Sequence, residues 1–192
     1  MRVSISSGHT ANTGAQAHDG TDEWSHNERL RRLVVKELEQ RGHVVKTHYR
    51  AINKSYYSAM KKLAAEIKIF RADVCLELHF NSASPKAHGY EFLYYRGSKK
   101  GKLLALCLSS TFGDMFAGSI QPRRGTGILP RGRVNRGSAY LRLTPCPAVI
   151  YEPGFASNPK EWGILKATLY GQAIAIADGL ESYCHEEKCS GY

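Results

Sequence analysis

The stretch VCLELHFNS, residues 74–82, has the alternating pattern of a β-strand. One face of that strand carries only apolar side chains, those of Val74, Leu76, Leu78 and Phe80. The other face carries Cys75, Glu77, His79 and Asn81. A carboxylate, an imidazole and an amide on one face indicate either that this face meets water or that it forms a functional site. The apolar face predicts that this strand belongs to the core of a sheet.

Strand-like and helix-like segments alternate on both sides of this stretch. The 192 residues are enough for one domain with a sizeable core. Strands are expected at 2–6, 43–48, 73–81, 90–95 and 147–151. The first helix is expected to begin at a capping box of Ser25 and Glu28 and to stop at Gly42. Further helices are expected at 57–70, 102–116 and 164–183. Residues 118–137 are expected to form a long loop. This alternation predicts a single α/β domain with a central, mostly parallel, twisted sheet flanked by helices.

Polar residues follow three of the expected strands. The first strand leads to His9, the third to His79 and the last to Glu152. In open α/β sheets, ligands bind beyond the carboxyl ends of the strands, so these side chains are expected to meet at one edge. Two histidines and a carboxylate are a donor set of catalytic zinc sites. A ligand carboxylate from another element would leave Glu152 free as a base, and the pattern alone does not choose among its candidates, which are Asp19, Asp22, Glu23 and Glu28.

Five stretches, in order, resemble the zinc-dependent N-acetylmuramoyl-L-alanine amidases of the Amidase_3 type. They are SGHTANTGA (7–15), EWSHN (23–27), LELHFNSA (76–83), GYEFLYY (89–95) and LRLTPCPAVIYEPGFASNPKE (141–161). The resemblance extends from Ser6 to about Tyr183. It implies a peptidoglycan amidase with the α/β fold already expected.

The resemblance also implies roles for individual residues. His9, Glu23 and His79 match the ligands of one zinc ion, and Glu152 matches the catalytic glutamate before the Gly-Phe-x-Ser-Asn stretch. The implied reaction is hydrolysis of the amide bond between N-acetylmuramic acid and L-alanine in peptidoglycan, leading to lysis of the cell wall. Glu152 would accept a proton from the attacking water and return it to the leaving nitrogen.

Four further residues near these motifs are candidates for supporting roles. Asn81 and Arg142 are expected to bind substrate, Arg142 through a stem-peptide carboxylate. Glu77 stands where the family has a small or apolar residue, about 7 Å from His79 along the strand. Two interpretations of Glu77 stay open: a support for the imidazole of His79, or a charge in a neighbouring hydrogen-bond network. Glu91 is expected to be structural.

The basic charge of the chain predicts a polyanionic partner. The formal net charge is +10, and no acidic residue lies between Asp114 and Glu152. The basic residues in this interval are Arg123, Arg124, Arg131, Arg133, Arg136 and Arg142. They form either a solvated loop or an anion-binding lip beside the active site. Peptidoglycan is the expected partner, and nucleic acid is not, because no nucleic-acid-binding motif accompanies the arginines.

Two other functional classes compete with the amidase. One is a non-catalytic wall-binding protein, and the other is a zinc peptidase acting on stem peptides. An inactive binder has no need of both metal histidines and Glu152. The EPGFASNPKE stretch favours the amidase over the peptidase.

The ends of the chain and its cysteines give expectations about the setting of the protein. Residues 1–183 are expected to form the catalytic domain and residues 184–192 a frayed tail, although Cys184 and Cys189 also suggest a metal site. Five cysteines without a signal peptide indicate reduced thiols and synthesis in the cytoplasm. No run of residues is apolar enough to span a membrane. These features favour a monomeric phage endolysin that reaches the wall through holin-type release, and a spore or mother-cell enzyme stays open as the alternative.

Overall fold

A computed structural model describes residues 1–11, 13–52, 54–135 and 137–189 of the chain. Within these residues lies one twisted sheet of six strands in the order β2-β1-β3-β6-β4-β5. The strands are β1 (Arg2–Ser7), β2 (Val44–Thr47), β3 (Val74–Leu78), β4 (Glu91–Tyr95), β5 (Ile128–Arg131) and β6 (Ala148–Glu152). Every pairing is parallel except that of β4 with β6. The predicted α/β fold with a mostly parallel sheet is therefore confirmed.

Helices cover both faces of the sheet. They are α1 (Glu23–Gln40), α2 (Tyr56–Phe70), α3 (Lys99–Met115), α4 (Ser138–Leu143), α5 (Pro159–Ala167) and α6 (Leu169–Cys189). Helices α1, α3 and α6 pack on one face, and α2 and α4 pack on the other. No helix in the described part of the chain has the length and apolarity that a bilayer crossing requires.

The alternation of residues 74–82 separates the two cores. Val74, Leu76 and Leu78 are fully buried in the core under α1, α3 and α6, as predicted. Cys75 belongs to the core under α2 and α4, and Glu77 on the same face is only 5% exposed. The polar face is therefore buried under helices at Cys75 and Glu77, whereas His79 and Asn81, which follow the strand, are partly exposed. Burial of each large aliphatic side chain stabilises the fold by roughly 1.5–3 kcal/mol.

The first helix begins differently from the prediction. The residue that caps α1 is Asp22, whose carboxylate accepts a hydrogen bond of 2.9 Å from the backbone N–H of Ser25. The expected capping box of Ser25 and Glu28 is wrong, because Glu28 lies one turn inside the helix and binds Arg31 and Ser7. Gly42 follows the helix with a φ of +80°, which fits the predicted stop.

Residues 118–137 are not one long loop. They contain β5, which pairs in parallel with β4 at the edge of the sheet. The sequence pattern hid this strand because Pro130 and Arg131 interrupt its apolar run, and proline is tolerated on an edge strand. Arg136 lies outside the described residues.

The last predicted helix is two helices, and it starts earlier than expected. Asn158 caps α5 by accepting hydrogen bonds from the backbone N–H groups of Lys160 and Glu161, and Pro159 occupies the first turn. Helix α6 then continues to Cys189. The expectation of a frayed tail from Cys184 is therefore wrong up to Cys189, and residues 190–192 lie outside the described residues. The division of the chain at residue 183 stays a prediction.

Candidate metal centre and active site

The first strand ends in a backbone conformation that brings His9 over the carboxyl edge of the sheet. His9 has a φ of +69°, a left-handed value that non-glycine residues rarely adopt and that often marks a functional position. Gly8 lies against the ring of His79. A Cβ atom at residue 8 would come within 2.1–2.6 Å of three atoms of that ring. Glycine is therefore required here for the two histidines to approach each other.

Glu23 joins the two histidines. It is the first residue of α1 and is 2% exposed. Its Oε2 lies 3.1 Å from Nε2 of His9, and its Oε1 lies 2.8 Å from Nδ1 of His79. The carboxylate also accepts hydrogen bonds from the backbone N–H groups of Ala15 (2.9 Å) and Phe80 (3.2 Å). These bonds fix the orientation of the carboxylate between the two imidazoles.

Glu77 contacts the second histidine. Its Oε2 lies 3.3 Å from Nε2 of His79, on the side of the ring opposite Glu23. The distance along an ideal strand is larger, but β3 ends at Leu78, so His79 leaves the regular strand and its ring reaches Glu77. The sequence left two interpretations of Glu77 open. The contact favours the first of them, in which Glu77 supports the imidazole of His79.

The donor set fits a zinc ion. His9, Glu23 and His79 each offer one ligand atom, and these three atoms lie within 4.8 Å of one another. Three protein donors of the His-His-Glu type, with room for a further ligand, are typical of catalytic zinc. The competing carboxylates have other partners, because Asp19 binds Lys166, Asp22 caps α1 and Glu28 binds Arg31. The structure thus brings the three predicted ligands together, and their binding of a metal stays a prediction.

The charges at this centre shift the pKa values of its members. Burial raises the pKa of Glu23, but hydrogen bonds to His79 and His9 outweigh it and hold the pKa well below its usual range. Burial lowers the pKa of His79, but hydrogen bonds to Glu23 and Glu77 outweigh it and raise the pKa well above its usual value. Glu23 and Glu77 favour a proton on the ring of His79 because they are negatively charged. The same negative charge favours a metal cation in place of the ring proton.

Glu152 ends β6 next to this centre. Burial raises the pKa of Glu152 to about 8. The largest opposing effect is the charge of His79, which lowers this pKa. Its Oε2 is buried, with no hydrogen-bond partner in the described part of the chain. A bound divalent cation would lower this pKa, because an adjacent positive charge favours the carboxylate form. A carboxylate with one buried, unpaired oxygen, in one cleft with a metal donor set, has the properties of a general base.

A buried glutamate that the sequence analysis did not single out organises the loop after β6. Glu161 accepts hydrogen bonds from the backbone N–H groups of Phe155 (2.8 Å) and Gly89 (2.7 Å). It is the third residue after the helix cap Asn158. The Asn-Pro-Lys-Glu spacing resembles a capping box, and that signal was available in the sequence. Glu161 therefore fixes the segment that follows Glu152.

The two expected substrate-binding residues both line one cleft with the metal centre. Asn81 donates from Nδ2 to Oε1 of Glu91 over 3.3 Å, and its backbone pairs with the Gly154–Ala156 segment. Glu91 also binds Arg123, so its expected structural role agrees with its contacts. The guanidinium of Arg142 lies 5.9 Å from the centre of the Tyr57 ring. Substrate contact by Asn81 and Arg142 stays a prediction.

The cleft has a volume of about 870 Å³ and lies over the face of the sheet that α2 and α4 cover. Its floor contains the metal centre and Glu152. Four arginines line the rest of it, namely Arg50, Arg131, Arg133 and Arg142. Part of the basic interval predicted from the sequence is therefore an active-site wall, which agrees with the anion-binding lip.

A family model provides an independent comparison. The model for the N-acetylmuramoyl-L-alanine amidases, Amidase_3, matches residues 3–182. The chain belongs to this family. The predicted family resemblance is thereby confirmed, and the match includes every residue of the metal centre and Glu152.

A relative by sequence comes from Staphylococcus aureus. The "Probable cell wall amidase LytH" of Staphylococcus aureus is 28% identical over 125 residues, which are 63% of this amidase-family chain and 38% of LytH. The chain therefore spans well under half the length of the curated relatives that it matches.

Solved structures resemble the chain in its fold. Ami1, an N-acetylmuramyl-L-alanine amidase from Mycobacterium smegmatis, has a TM-score of 0.81 at 20% identity and covers 97% of both chains. The catalytic domain of the CD27L endolysin targeting Clostridia difficile has a TM-score of 0.78 at 22% identity, covering 95% of this chain and 97% of that domain. At this identity the two similarities establish the shared fold.

Proposed function

We propose that the protein is a zinc-dependent amidase that hydrolyses the bond between N-acetylmuramic acid and L-alanine in peptidoglycan. The observation that carries this proposal is the position of Glu152 in one cleft with His9, Glu23 and His79. Membership of the amidase family supports the choice of substrate. The site contains the two parts that metal-assisted amide hydrolysis requires, a donor set and a separate carboxylate.

His9, Glu23 and His79 would hold the zinc ion, which when bound supplies Lewis-acid activation of water and of the amide carbonyl. Glu152 accepts a proton as water attacks the lactyl carbonyl carbon. The bond from that carbon to the nitrogen of L-alanine then breaks, and Glu152 returns the proton to the departing amine. The products are a lactyl carboxylic acid on the glycan and a stem peptide with a free amino terminus.

The surrounding residues hold these groups in place. Glu77 lies 3.3 Å from Nε2 of His79 and would hold a proton on that nitrogen, so that Nδ1, 2.8 Å from Glu23, is the nitrogen free to act as a ligand. Glu161 fixes the backbone after Glu152 through its bonds to Phe155 and Gly89. Asn81 and Arg142 would contact the substrate from the wall of the cleft.

Digestion of purified peptidoglycan, followed by mass spectrometry, tests the bond that is cleaved. Stem peptides with a free L-alanine amine, together with intact glycan strands, are the expected products. Cleavage within the stem peptide would instead identify a peptidase. Binding to peptidoglycan without any released peptide would identify a non-catalytic wall-binding protein.

Metal analysis tests the cofactor. One zinc ion per chain is expected after purification without chelator, and loss of activity is expected after its removal with 1,10-phenanthroline. Restoration by added Zn²⁺, but not by Mg²⁺, would be consistent with nitrogen ligands. Full activity in a metal-free preparation would contradict the proposal.

We also propose that the enzyme acts in lysis, as an endolysin made in the cytoplasm and released to the wall through a holin-type pore. The CD27L catalytic domain, which shares the fold, comes from an endolysin. Expression of the chain in bacterial cells with and without a pore-forming holin tests this role. Lysis only in the presence of the holin is expected, and lysis that is independent of it would overturn the proposed route.

A further inference from the structure

The wall of the cleft carries a concentrated positive charge that the hydrolytic step does not use. Arg131 is the last residue of β5, Arg133 lies two residues later, and Arg142 lies on α4. The alternation of the strands places Arg131 on the same face of the sheet as Glu152. The positive charge of Arg131 lowers the pKa of Glu152. The acidic residues that line the cleft are Glu23, Glu77 and Glu152, all of which lie at the metal centre. The charged residues in the rest of the lining are therefore cationic.

Ion pairs among the described residues do not neutralise these arginines. None of the ion pairs formed by residues in the described ranges includes Arg50, Arg131, Arg133 or Arg142. The Nε atoms of Arg131 and Arg142 are buried and lack a hydrogen-bond acceptor among the same residues. An unsatisfied buried donor costs free energy, so both guanidinium groups are prepared to receive an acceptor from a ligand.

Aromatic rings hold two of the arginines in position. Arg142 lies over the ring of Tyr57 at 5.9 Å, and Arg50 lies over the ring of Tyr56 at 5.0 Å. A cation–π contact engages the face of the guanidinium and leaves its N–H groups free to donate in the plane. The geometry of such a planar donor matches a carboxylate, which it binds through two parallel hydrogen bonds.

We propose that Arg131 and Arg142 bind the free carboxylate of the second stem-peptide residue, and that the enzyme therefore prefers stems whose second residue is an acid over stems in which it is an amide. This inference rests on the proposed function, because it assumes that the scissile bond lies at the metal centre. The second residue begins one extended residue, about 3.5 Å, beyond L-alanine. It is therefore the first group of the stem that can present an anion to the wall.

A carboxylate is favoured over a carboxamide for a physical reason. The amide presents a single neutral acceptor and two N–H donors, which face the donors of the guanidinium. Hydrogen bonds to an ionised acceptor are stronger than those to a neutral one. A preference of roughly tenfold to a hundredfold in kcat/KM is expected from one such interaction.

Two synthetic substrates test the inference, N-acetylmuramoyl-L-alanyl-D-isoglutamate and N-acetylmuramoyl-L-alanyl-D-isoglutamine. They differ only in one carboxylate or carboxamide. The zinc-loaded enzyme is expected to cleave the acid with the higher kcat/KM. The acid-to-amide ratio should fall toward one in Arg142→Gln and in Arg131→Gln. Arg29→Gln, which removes an exposed arginine of α1 outside the cleft, should leave the ratio unchanged.

Calorimetric binding of the same two ligands separates this inference from the proposed function. Tighter binding of the acid without hydrolysis of either ligand would support the arginine site and overturn the amidase. Hydrolysis of both ligands at equal kcat/KM, with equal affinities, would overturn the arginine site and support the amidase. Equal affinities combined with competition by polyglycerol phosphate would assign the wall to a phosphate polymer and also overturn the inference. Circular dichroism of each variant verifies that the loss of preference is not a loss of fold.

Discussion

The imidazole of His79 lies between two carboxylates, with Nδ1 2.8 Å from Glu23 and Nε2 3.3 Å from Glu77. The two contacts have different consequences. Glu23 belongs to the donor set that would hold a metal, whereas Glu77 can orient the ring without touching the metal. A carboxylate behind a ligand histidine fixes its tautomer and increases its basicity.

Glu77→Gln is therefore expected to weaken zinc binding by roughly tenfold to a hundredfold. The carboxamide of glutamine has a similar shape to the carboxylate. It carries no charge, so it cannot stabilise the ring of His79 as the carboxylate does. Competition with a chromophoric zinc chelator measures the affinity directly. Glu39→Gln, at an exposed position of α1, is the control. Unchanged zinc affinity in Glu77→Gln would show that the contact has no effect on the metal.

Glu152→Gln is expected to lower turnover by at least about a hundredfold, because the general base is lost. Zinc content should remain at one ion per chain, since Glu152 is outside the donor set. Release of stem peptides and metal analysis of the same preparation provide both measurements. Near-normal turnover would show that another group accepts the proton.

Gly8→Ala is expected to disrupt the metal centre, because its Cβ would overlap the ring of His79. The crowding should destabilise the fold by about 1–3 kcal/mol and displace the imidazole from Glu23. Urea denaturation and zinc titration measure the two effects. Gly163→Ala is the matched control, since a Cβ there would have no neighbour within 4 Å. A variant at Gly8 with ordinary zinc affinity would contradict the close approach.

The stability of the metal-free protein is expected to depend on pH through Glu152. Its pKa is about 8 in the folded chain against 4.5 for an unperturbed glutamate. Between these values the folded chain retains a proton that the unfolded chain has released, so the free energy of unfolding falls as pH rises. The slope from this one group is at most about 1.4 kcal/mol per pH unit.

Glu152→Gln removes this dependence. In EDTA, the stability of the variant relative to wild type should therefore increase from pH 5 to pH 8 and become constant at higher pH. Chemical denaturation at several pH values measures the difference. A difference that does not vary over this range would mean that the carboxyl group is already ionised in the folded protein.

The sequence predicted the features that depend on regular patterns. Alternation over residues 74–82 identified the central strand, and the strand ends at His9, His79 and Glu152 identified the edge at which the site forms. The resemblance then selected Glu23, whereas the spacing of acidic residues alone could not separate it from Asp22 and Glu28. That choice depends on where α1 starts, and the cap at Asp22 places Glu23 in its first turn.

The remaining features depend on contacts between distant segments. Strand β5 was missed because Pro130 and Arg131 conceal its pattern, and its position next to β4 also determines where Arg131 points. The role of Glu77 depends on the end of β3 at Leu78, which frees His79 from the strand. The break between α5 and α6 follows Thr168, a residue that carries no strong stop signal in the sequence.

The metal centre has a consequence for how the sheet assembles. His9 and His79 follow two neighbouring parallel strands, which are paired with Ser7 opposite Leu78. A slip of one residue would move one histidine by about 3.3 Å and turn it to the other face of the sheet. Affinity for the proposed zinc ion would therefore be a measure of strand register. A metal titration during refolding would distinguish correctly paired molecules from compact molecules with shifted strands.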